Sequence, residues 1–462
     1  MSSKVSTRTV FLVLADIVAA GAGLLSSLFF RLGNVGAFDQ LNEHFGALKI
    51  CLASVVVVLS LYFHDLYDYR IIGRREEMAF RMVQAVGLSW AALAVIYYML
   101  PNLEIGPGTA LYAIAITLFL LLSIRLLLYM VLDHPRIGEK ILIVGDGAEE
   151  LDTIRAATTQ RTAGYRIVGF LGENVQACKS EFQTVPRLGS IGDLENVVRS
   201  ENIDRIVVGL RQRRKVLPVD ALLRLRLDGN VFIDDCSSFY ERVAEKVHLS
   251  MLRPSWLIFS EHSRNTQLKL AFRDFVHRLL ALSGLIASLP IAVLTAVLIK
   301  VESEGPIFYT QERVGKNDRT FNVIKFRSMR VDAESGGTPV WSTVDDERVT
   351  LIGRVIRKVR IDEIPQFWNI LKGEMKFVGP RPERPHFVKQ LGKKIPFYEH
   401  RHLVEPGLTG WAQVKYPYGS SLEDARQKLQ YDLYYIKNQT LTLDLLIVLQ
   451  TFKIIILGRG GR

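Results

Sequence analysis

The stretch Leu279–Ile299, LLALSGLIASLPIAVLTAVLI, decides the fold, because its twenty-one residues carry no charge and are nominally long enough to cross a bilayer. Cations flank it on both sides, which favours two cytoplasmic ends (Arg273, Arg278 and Lys300). Pro290 lies mid-segment, where proline removes a helix hydrogen bond and kinks the axis. We therefore predict a re-entrant helix over residues 277–300, with the Ser288 hydroxyl available to freed backbone groups. A straight fifth span is the alternative.

Four further apolar segments precede this one, and each is long enough to span a bilayer. They are Val10–Leu32, Leu48–Tyr67, Phe80–Leu100 and Thr109–Leu132. Residues 101–108, between the last two, carry no Lys or Arg. The cations lie before the first segment, in the second loop and after the fourth segment (Lys4, Arg8, Arg70, Arg74, Arg75, Arg81, Arg136 and Lys140). The N-terminus and everything after residue 135 are therefore predicted to be cytoplasmic. Asp16 and Arg125 interrupt two segments and are expected to face the inside of a four-helix transmembrane bundle over residues 1–135. Buried helices of a large soluble core are the alternative.

Residues 136–250 change to an alternating strand and helix pattern that predicts a Rossmann-like cytoplasmic domain. The predicted elements are strands at Lys140–Val144, Arg166–Leu171 and Arg205–Leu210, a helix at Ile191–Ser200, and closing segments at Leu222–Leu227 and Ser238–Val247. Glu150 stands where the third glycine of the dinucleotide fingerprint G-x-G-x-x-G would fall. A degenerate domain used for assembly or regulation is therefore expected rather than a bound nicotinamide. Residues 251–272 are predicted to be a linker.

Residues 273–462 predict a mostly helical domain with a small β-hairpin, so that the whole chain is a membrane protein of α plus α/β class. The predicted elements are a hairpin of Pro306–Val314 and Thr320–Phe326, an amphipathic helix at Thr350–Arg360, a helix from about Asp362 to Gly373, and a helix at Leu422–Lys437. Residues 440–457 are apolar but contain Asp444, Gln450 and Lys453. They are predicted to lie at the membrane interface rather than to span it.

The composition narrows the classes of partner. The chain of 462 residues has 58 Lys and Arg against 47 Asp and Glu, a net charge of +11. A basic balance suits nucleic acid, an anionic membrane or phosphorylated substrates, and the membrane segments favour the last two. The 3 cysteines form no CxxC pair, which excludes a disulfide framework and a zinc site of that type.

Candidate chemistry is concentrated in Arg357–Pro385, RKVRIDEIPQFWNILKGEMKFVGPRPERP. If Asp362 begins a helix, the helix dipole and the preceding arginines are expected to lower its pKa and keep it ionised for nucleophilic attack on phosphorus. Glu363 projects about 100° away on a helix and is a candidate ligand of Mg²⁺. Arg381, held between two prolines, is a candidate phosphate clamp. The alternatives are a helix cap, a turn-stabilising ion pair and a charged surface.

From about Arg273 to Arg462 the chain resembles the bacterial polyprenyl-phosphate sugar-1-phosphate transferases, also called monotopic phosphoglycosyl transferases. The matching stretches are Gln311–Gly315, Lys325–Met329, Asp362–Gln366 and Val378–Pro382. The four spans and the Rossmann-like domain are similar to the large members of that family, and Pro406–Gln413 and Tyr431–Lys437 look most like the exopolysaccharide-associated branch. One departure is Ser288-Leu289-Pro290, where the family commonly has Ser-Pro.

The resemblance implies a two-step reaction at the bacterial inner membrane, in which Asp362 attacks the β-phosphate of a UDP-sugar and releases UMP. Undecaprenyl phosphate then takes the phosphosugar, which starts an exopolysaccharide or related glycan. Glu363 matches the family's Mg²⁺-associated acid and Arg381 its phosphate-binding arginine, while Lys325 and Arg327 match a basic motif near the site. A homodimer is also compatible with the resemblance. The alternatives are a glycosyltransferase that releases UDP, a nicotinamide-dependent nucleotide-sugar modifier and a non-catalytic scaffold, and the sugar stays open.

Overall fold

The computed structural model describes residues 7–42, 46–67, 75–132, 139–159, 165–173, 185–209, 218–229, 231–252, 267–331, 333, 346–416, 419 and 421–456. These residues form two compact units, one within Lys4–Phe239 and the other within Tyr240–Arg462.

The first unit begins with the apolar helices α1 (Thr7–Asn42), α2 (Gly46–Phe63), α3 (Arg75–Met99) and α4 (Pro107–Leu132). Each predicted span falls on one of these helices, and each helix is long and apolar enough to cross a membrane. Helix α1 leaves helical geometry at Gly33, just beyond the predicted end of its span. Helices α1 and α3 both pack against α2 and α4.

Asp16 of α1 and Arg125 of α4 form an ion pair that is completely buried within the first unit. Arg125 donates from Nη1 to Oδ1 of Asp16 over 3.0 Å and from Nη2 to Oδ2 over 2.8 Å. The two charges that interrupt the apolar segments therefore face each other rather than the outer surface. This agrees with the predicted inward orientation of both faces.

A parallel five-stranded sheet follows in the same unit, in the order β3-β2-β1-β4-β5. Its strands are β1 (Glu139–Val144), β2 (Tyr165–Leu171), β3 (Arg187–Gly189), β4 (Arg205–Val208) and β5 (Phe232–Asp235), with helices α5 (Ala148–Thr159), α6 (Leu194–Glu201) and α7 (Val219–Leu227). Helix α8 (Cys236–Ala244) follows β5 and contains the boundary between the two units. The strand order reverses between β1 and β4, as in doubly wound sheets. The three predicted strands are present, whereas β3 and β5 were not predicted.

The second unit contains the helices and short strands that carry the candidate chemistry. They are α9 (Gln267–Glu302), β6 (Phe308–Val314), β7 (Thr320–Phe326), α10 (Leu351–Lys358), α11 (Gln366–Lys372), β8 (Lys376–Val378), α12 (Pro385–Lys394), β9 (Gly407–Thr409), α13 (Trp411–Lys415), α14 (Leu422–Lys437) and α15 (Leu441–Ile456). Strands β6 and β7 form the predicted antiparallel hairpin, and β8 pairs in parallel with β9.

The second unit also includes residues that the sequence assigned to the Rossmann-like domain. The backbone N–H of Val247 donates to the carbonyl of Gln430 over 3.0 Å, and Trp411 Nε1 donates to the carbonyl of Glu245 over 2.9 Å. Residues from Tyr240 onward therefore pack with the C-terminal unit, before the predicted domain boundary at residue 250. Most of the predicted linker, residues 253–266, lies outside the described residues.

Helix α9 contains the stretch that was expected to re-enter the membrane. It runs continuously for 36 residues through Pro290, so the expected point of bending lies within one helix. The Ser288 hydroxyl donates to the carbonyl of Leu285 over 3.2 Å. The carbonyl that Pro290 leaves without its N–H partner is that of Ile286, one residue further on. The Ser288 hydroxyl therefore bonds the neighbour of the freed group rather than the freed group itself.

Both halves of α9 contact the same unit. In the N-terminal half Ala281 belongs to the main core, and a side chain at Gly284 would contact the Phe367 ring of α11. In the C-terminal half Ile299 is buried in a cluster with Phe326 and Ile356. The opposite face of α9 exposes a row of large apolar side chains, among them Leu282, Ile286, Leu289, Val293 and Val297.

Candidate active site

Asp362 and Glu363 lie in a single 3-10 turn, Ile361–Glu363, between α10 and α11. Arg360, which precedes the turn, has a left-handed backbone with φ of 61°, and this ends the preceding helix. Helix α11 begins only at Gln366, so the prediction that a helix starts near Asp362 is wrong by one turn. Its predicted end at Gly373 is confirmed, because Gly373 caps the helix with φ of 83°.

Glu363 is the point at which the cations of the site converge. Its Oε1 accepts from Arg381 Nη2 over 2.8 Å and lies 3.4 Å from Arg360 Nη1 and 3.5 Å from Lys325 Nζ. Only 8 % of the residue is exposed. Burial favours the protonated acid, but the charges of Arg381, Lys325 and Arg360 outweigh it and hold the pKa of Glu363 below its usual range.

Asp362 is also 8 % exposed, but its pKa is shifted in the opposite direction to that of Glu363. Among the described residues its carboxylate has no hydrogen-bond partner. Burial and the adjacent charge of Glu363 raise its pKa, and Lys325 and the nearby arginines compensate only in part. The prediction of a lowered pKa is therefore wrong, because Asp362 is buried beside an ionised acid and does not lie in the first turn of an α-helix. The two adjacent acids differ in partners and in proton affinity.

Lys325 reaches Glu363 from strand β7, and a buried amide fixes that strand against α11. Asn369 donates from Nδ2 to the carbonyl of Asn322 over 2.8 Å and accepts from the N–H of Ile324 over 3.1 Å. Asn369 is fully buried, so these bonds set the distance between the hairpin and the acidic turn. Burial lowers the pKa of Lys325, while Glu363 acts in the other direction.

Arg381 is held in place through the backbone of its own loop. Arg401 donates from Nη2 to the carbonyl of Arg381 over 2.8 Å, and Arg313 donates from Nη1 to the carbonyl of Pro382 over 3.1 Å. The N–H of Gly407 donates to the carbonyl of Pro380 over 2.9 Å. Gly407 must be glycine here, because a Cβ would lie 2.0 Å from the backbone nitrogen of Gly379.

Arg401 itself is buried and paired. Its Nη2 lies 3.0 Å from Oδ2 of Asp432, and its Nη1 donates to the Tyr398 hydroxyl over 2.8 Å. Burial raises the pKa of Asp432 to about 6, against the pull of Arg401. Sequence reasoning missed this arginine, because an isolated Arg between two histidines gives no signal of a buried ion pair.

Arg313 is a further cation near Arg381 and Lys325. Burial, with the charges of Arg381 and Arg384 adding to it, lowers the pKa of Arg313 to about 10, although Glu383 opposes this. Sequence reasoning quoted Arg313 only as part of a matching stretch and gave it no role. Guanidinium and ammonium groups such as these bind phosphate through charge-assisted hydrogen bonds.

The predicted site residues are only partly brought together. Lys325 and Arg381 reach the acidic turn, but Arg327 does not contact it. Its guanidinium donates to the carbonyls of Glu304 and Ser303 over 2.7 and 2.9 Å, at the C-terminal end of α9. Within the described part of the chain, no group of three or more His, Cys, Asp and Glu residues could hold a metal ion.

The second unit thus holds a buried acidic pair with three cations around Glu363, and the described part of the chain has five helices that are long and apolar enough to cross a membrane. Residues 268–458 match the family model described as bacterial sugar transferase, and residues 62–224 match one described as CoA-binding domain.

Three relatives illustrate the similarity. A UDP-N-acetylgalactosamine-undecaprenyl-phosphate N-acetylgalactosaminephosphotransferase of Aeromonas hydrophila is 51 % identical over 173 residues, 37 % of this chain and 41 % of the relative. An undecaprenyl-phosphate glucose phosphotransferase of Komagataeibacter xylinus is 32 % identical over 341 residues, 71 % of this chain and 60 % of the relative. An exopolysaccharide production protein PSS of Rhizobium leguminosarum is 36 % identical over 179 residues, 37 % of this chain and 88 % of the relative.

This chain belongs to the bacterial sugar transferase family. The resemblance drawn from the sequence motifs is thereby confirmed. The chain matches less than two thirds of the length of the Aeromonas and Komagataeibacter relatives.

Replacing Arg401 by Leu should destabilise the protein by about 3 kcal/mol, because Asp432 is then a buried charge without its partner. The loss should be smaller at pH 5 than at pH 8. The pKa of Asp432 in the folded protein lies above its unfolded value, so protonation removes the unpaired charge in acid, and the penalty grows as pH rises through about 6. Thermal unfolding in detergent measures both effects.

The matched control is Arg426→Leu, which breaks an exposed pair with Glu423 and should leave the Tm nearly unchanged. Replacing both Arg401 and Asp432 by Leu should recover part of the lost stability. A pH-independent loss in Arg401→Leu would contradict this account.

Proposed function

We propose that this protein transfers a sugar-1-phosphate from a UDP-sugar to undecaprenyl phosphate and releases UMP. The observation that carries the proposal is the difference between the two adjacent acids of the turn. Glu363 forms ion pairs with three cations, whereas Asp362 has no hydrogen-bond partner among the described residues. The names of the relatives, which include sugar phosphotransferases acting on undecaprenyl phosphate, support the same substrate classes.

In the first step a carboxylate oxygen of Asp362 attacks the β-phosphorus of the UDP-sugar. The bond between that phosphorus and the bridging oxygen breaks, UMP leaves with the bond's electron pair, and a phosphosugar stays on Asp362 as an acyl phosphate. In the second step an oxygen of undecaprenyl phosphate attacks the same phosphorus and the Asp362 carboxylate leaves. The product is a lipid diphosphate sugar that starts a polysaccharide repeat.

The cations around the turn would stabilise charge on the phosphates during both steps. Arg381 and Lys325 already contact a carboxylate oxygen, so a phosphate oxygen suits the same donors. Buried Arg401 and half-buried Arg313 fix the backbone of the loop that carries Arg381, which lowers the reorganisation that binding requires. The contacts of Arg327 support a role in fixing the end of α9, and its phosphate-binding role stays a prediction.

The acidic turn also fits Mg²⁺, which is bound by one or two carboxylates together with substrate phosphates. Among the described residues, the three ion pairs of Glu363 are all made by Oε1, which leaves its other oxygen for a metal. Glu363 is the proposed ligand, with the ionised Asp362 beside it. The ion would supply Lewis-acid neutralisation of the diphosphate.

A re-entrant arrangement of α9 suits this chemistry. Both halves of the helix pack on the same charged unit and its other face is apolar, which supports a helix that dips into one leaflet and returns. Exposed apolar side chains on neighbouring helices support the same placement, namely Leu351 and Val355 of α10 and Leu445, Leu449 and Phe452 of α15. The site would then lie at the cytoplasmic leaflet of the inner membrane, where a soluble nucleotide sugar meets a lipid phosphate.

Replacing Asp362 by Asn should reduce UMP release by about a thousandfold or more, because the amide cannot form the acyl phosphate. The assay uses undecaprenyl phosphate with a panel of UDP-sugars, which also identifies the sugar. The matched control is Asp220→Asn on the exposed surface of α7, which should keep full activity. Full turnover by the Asp362 variant would refute the nucleophile, and release of UDP instead of UMP would indicate a glycosyltransferase.

Replacing Glu363 by Gln should move the acid limb of the UMP-release profile to lower pH. The charge of Glu363 raises the pKa of Asp362, so its removal lets Asp362 ionise at lower pH, even though the plateau rate falls with the lost metal ligand. The profile of kcat/KM against pH measures the shift. The exposed acid Glu423, replaced by Gln, is the control, and an acid limb unchanged in the Glu363 variant would contradict the coupling.

Single cysteines at Lys269 and Glu312 test the topology, since these exposed residues lie before and after the apolar part of α9. The native cysteines Cys51, Cys178 and Cys236 are first replaced by Ser. A membrane-impermeant thiol reagent should label both new cysteines only in inverted vesicles, which expose the cytoplasmic face. Labelling of the two positions from opposite faces would show that α9 crosses the membrane.

A further inference from the structure

The parallel sheet of the first unit contains a position at which related sheets bind nucleotide phosphates. Strand order reverses between β1 and β4, and ligands of such sheets bind outside the carboxyl ends of the strands at that reversal. The matching family model for this region is described as CoA-binding domain, which implies a ligand with a pyrophosphate. The residues at the reversal therefore decide whether such a ligand fits.

The side chain of Glu150 occupies this position. A Cβ placed on Gly145 would lie 2.3 Å from Glu150 Oε1, and one on Gly209 would lie 2.2 Å from the same oxygen. At Gly147 the corresponding distance to Oε2 is 2.8 Å. Gly145 and Gly147 follow β1 and Gly209 follows β4, so the carboxylate lies between the ends of the two central strands.

The carboxyl group of Glu150 also lies beside amides that a phosphate would approach. The backbone N–H groups of Gly147 and of Glu150 itself, at the start of helix α5, act to lower its pKa against the effect of burial. Amides at a helix N-terminus after a glycine-rich turn are the groups that hold the pyrophosphate in dinucleotide-binding domains. In this chain the group beside those amides is an acid of the protein itself.

The surroundings disfavour a second anion. Glu150 is almost fully buried. Burial, with added repulsion from Glu149 and Asp146, raises its pKa to about 7. The position between the ends of β1 and β4 is thus filled by Glu150, and Glu149 and Asp146 lie nearby. A pyrophosphate would have to displace the buried Glu150 side chain and approach those two acids.

We infer that Glu150 is a built-in occupant of the phosphate position, and that this Rossmann-like domain therefore binds neither CoA nor a dinucleotide there. The sequence Gly145-Asp146-Gly147-Ala148-Glu149-Glu150 departs from G-x-G-x-x-G at its last position alone. The domain has the fold of a nucleotide-binding domain, but one of its own side chains, that of Glu150, blocks the ligand position.

The test is Glu150→Gly, which restores the glycine fingerprint and removes the occupant. Full-length protein in detergent is titrated with CoA and with ADP by calorimetry, in an Arg381→Ala background that weakens anion binding at the candidate active site. Any binding that remains there is common to all variants, so the effect of residue 150 is the difference between matched titrations. We expect no binding at millimolar ligand with Glu150 present and at least tenfold tighter binding in the Glu150→Gly variant.

Two controls separate the effect of the Glu150 side-chain volume from the effect of the negative charges around it. Glu150→Gln keeps the occupant without its charge and should still bind no ligand, and Glu149→Gln removes a neighbouring charge and should behave in the same way. Glu150→Ser replaces the glycine variant if the Tm shows that the latter does not fold. The inference is overturned if the protein with Glu150 intact binds CoA or ADP as tightly as the opened variant, or if neither opened variant gains binding.

Discussion

The ion pair between Arg381 and Glu363 is the interaction on which the candidate site depends. A buried carboxylate is tolerated only with good partners, and Glu363 obtains them from the β8–α12 loop, from strand β7 and from the turn after α10. One side chain thus joins three separate parts of the second unit. The same charge raises the proton affinity of Asp362, so the arrangement that organises the cations also sets the state of the acid beside them.

The supports behind this pair are buried polar groups rather than apolar packing. Arg401 fixes the backbone of Arg381, and Asn369 fixes the strand that carries Lys325. Such groups are satisfied only in one geometry, because each lost hydrogen bond leaves a buried polar atom without a partner. The chemistry proposed for Asp362 therefore depends on residues that never touch the substrate.

Much of this architecture is readable from local sequence patterns, because the apolar helices, the central strands and helix α14 have clear length and periodicity. Strand β5 was missed, since Phe-Ile-Asp-Asp is too short and too polar to show a strand pattern. The pKa of Asp362 was mispredicted because it depends first on burial, which no local pattern encodes. Arg327 and Arg381 are both arginines in motifs, and only tertiary contacts distinguish their locations.

The buried pair of Asp16 and Arg125 has a consequence for biogenesis. The two residues are 109 positions apart, so the ribosome completes the first apolar helix long before the fourth. An isolated charge costs about 2.5–3.5 kcal/mol at the centre of an inserting helix and less toward its ends. Asp16 lies toward the N-terminal end of α1, so α1 bears part of that cost until α4 is synthesised. Helix α1 therefore reaches its final packing only after α4 has been synthesised, because until then Asp16 lacks its ion-pair partner Arg125.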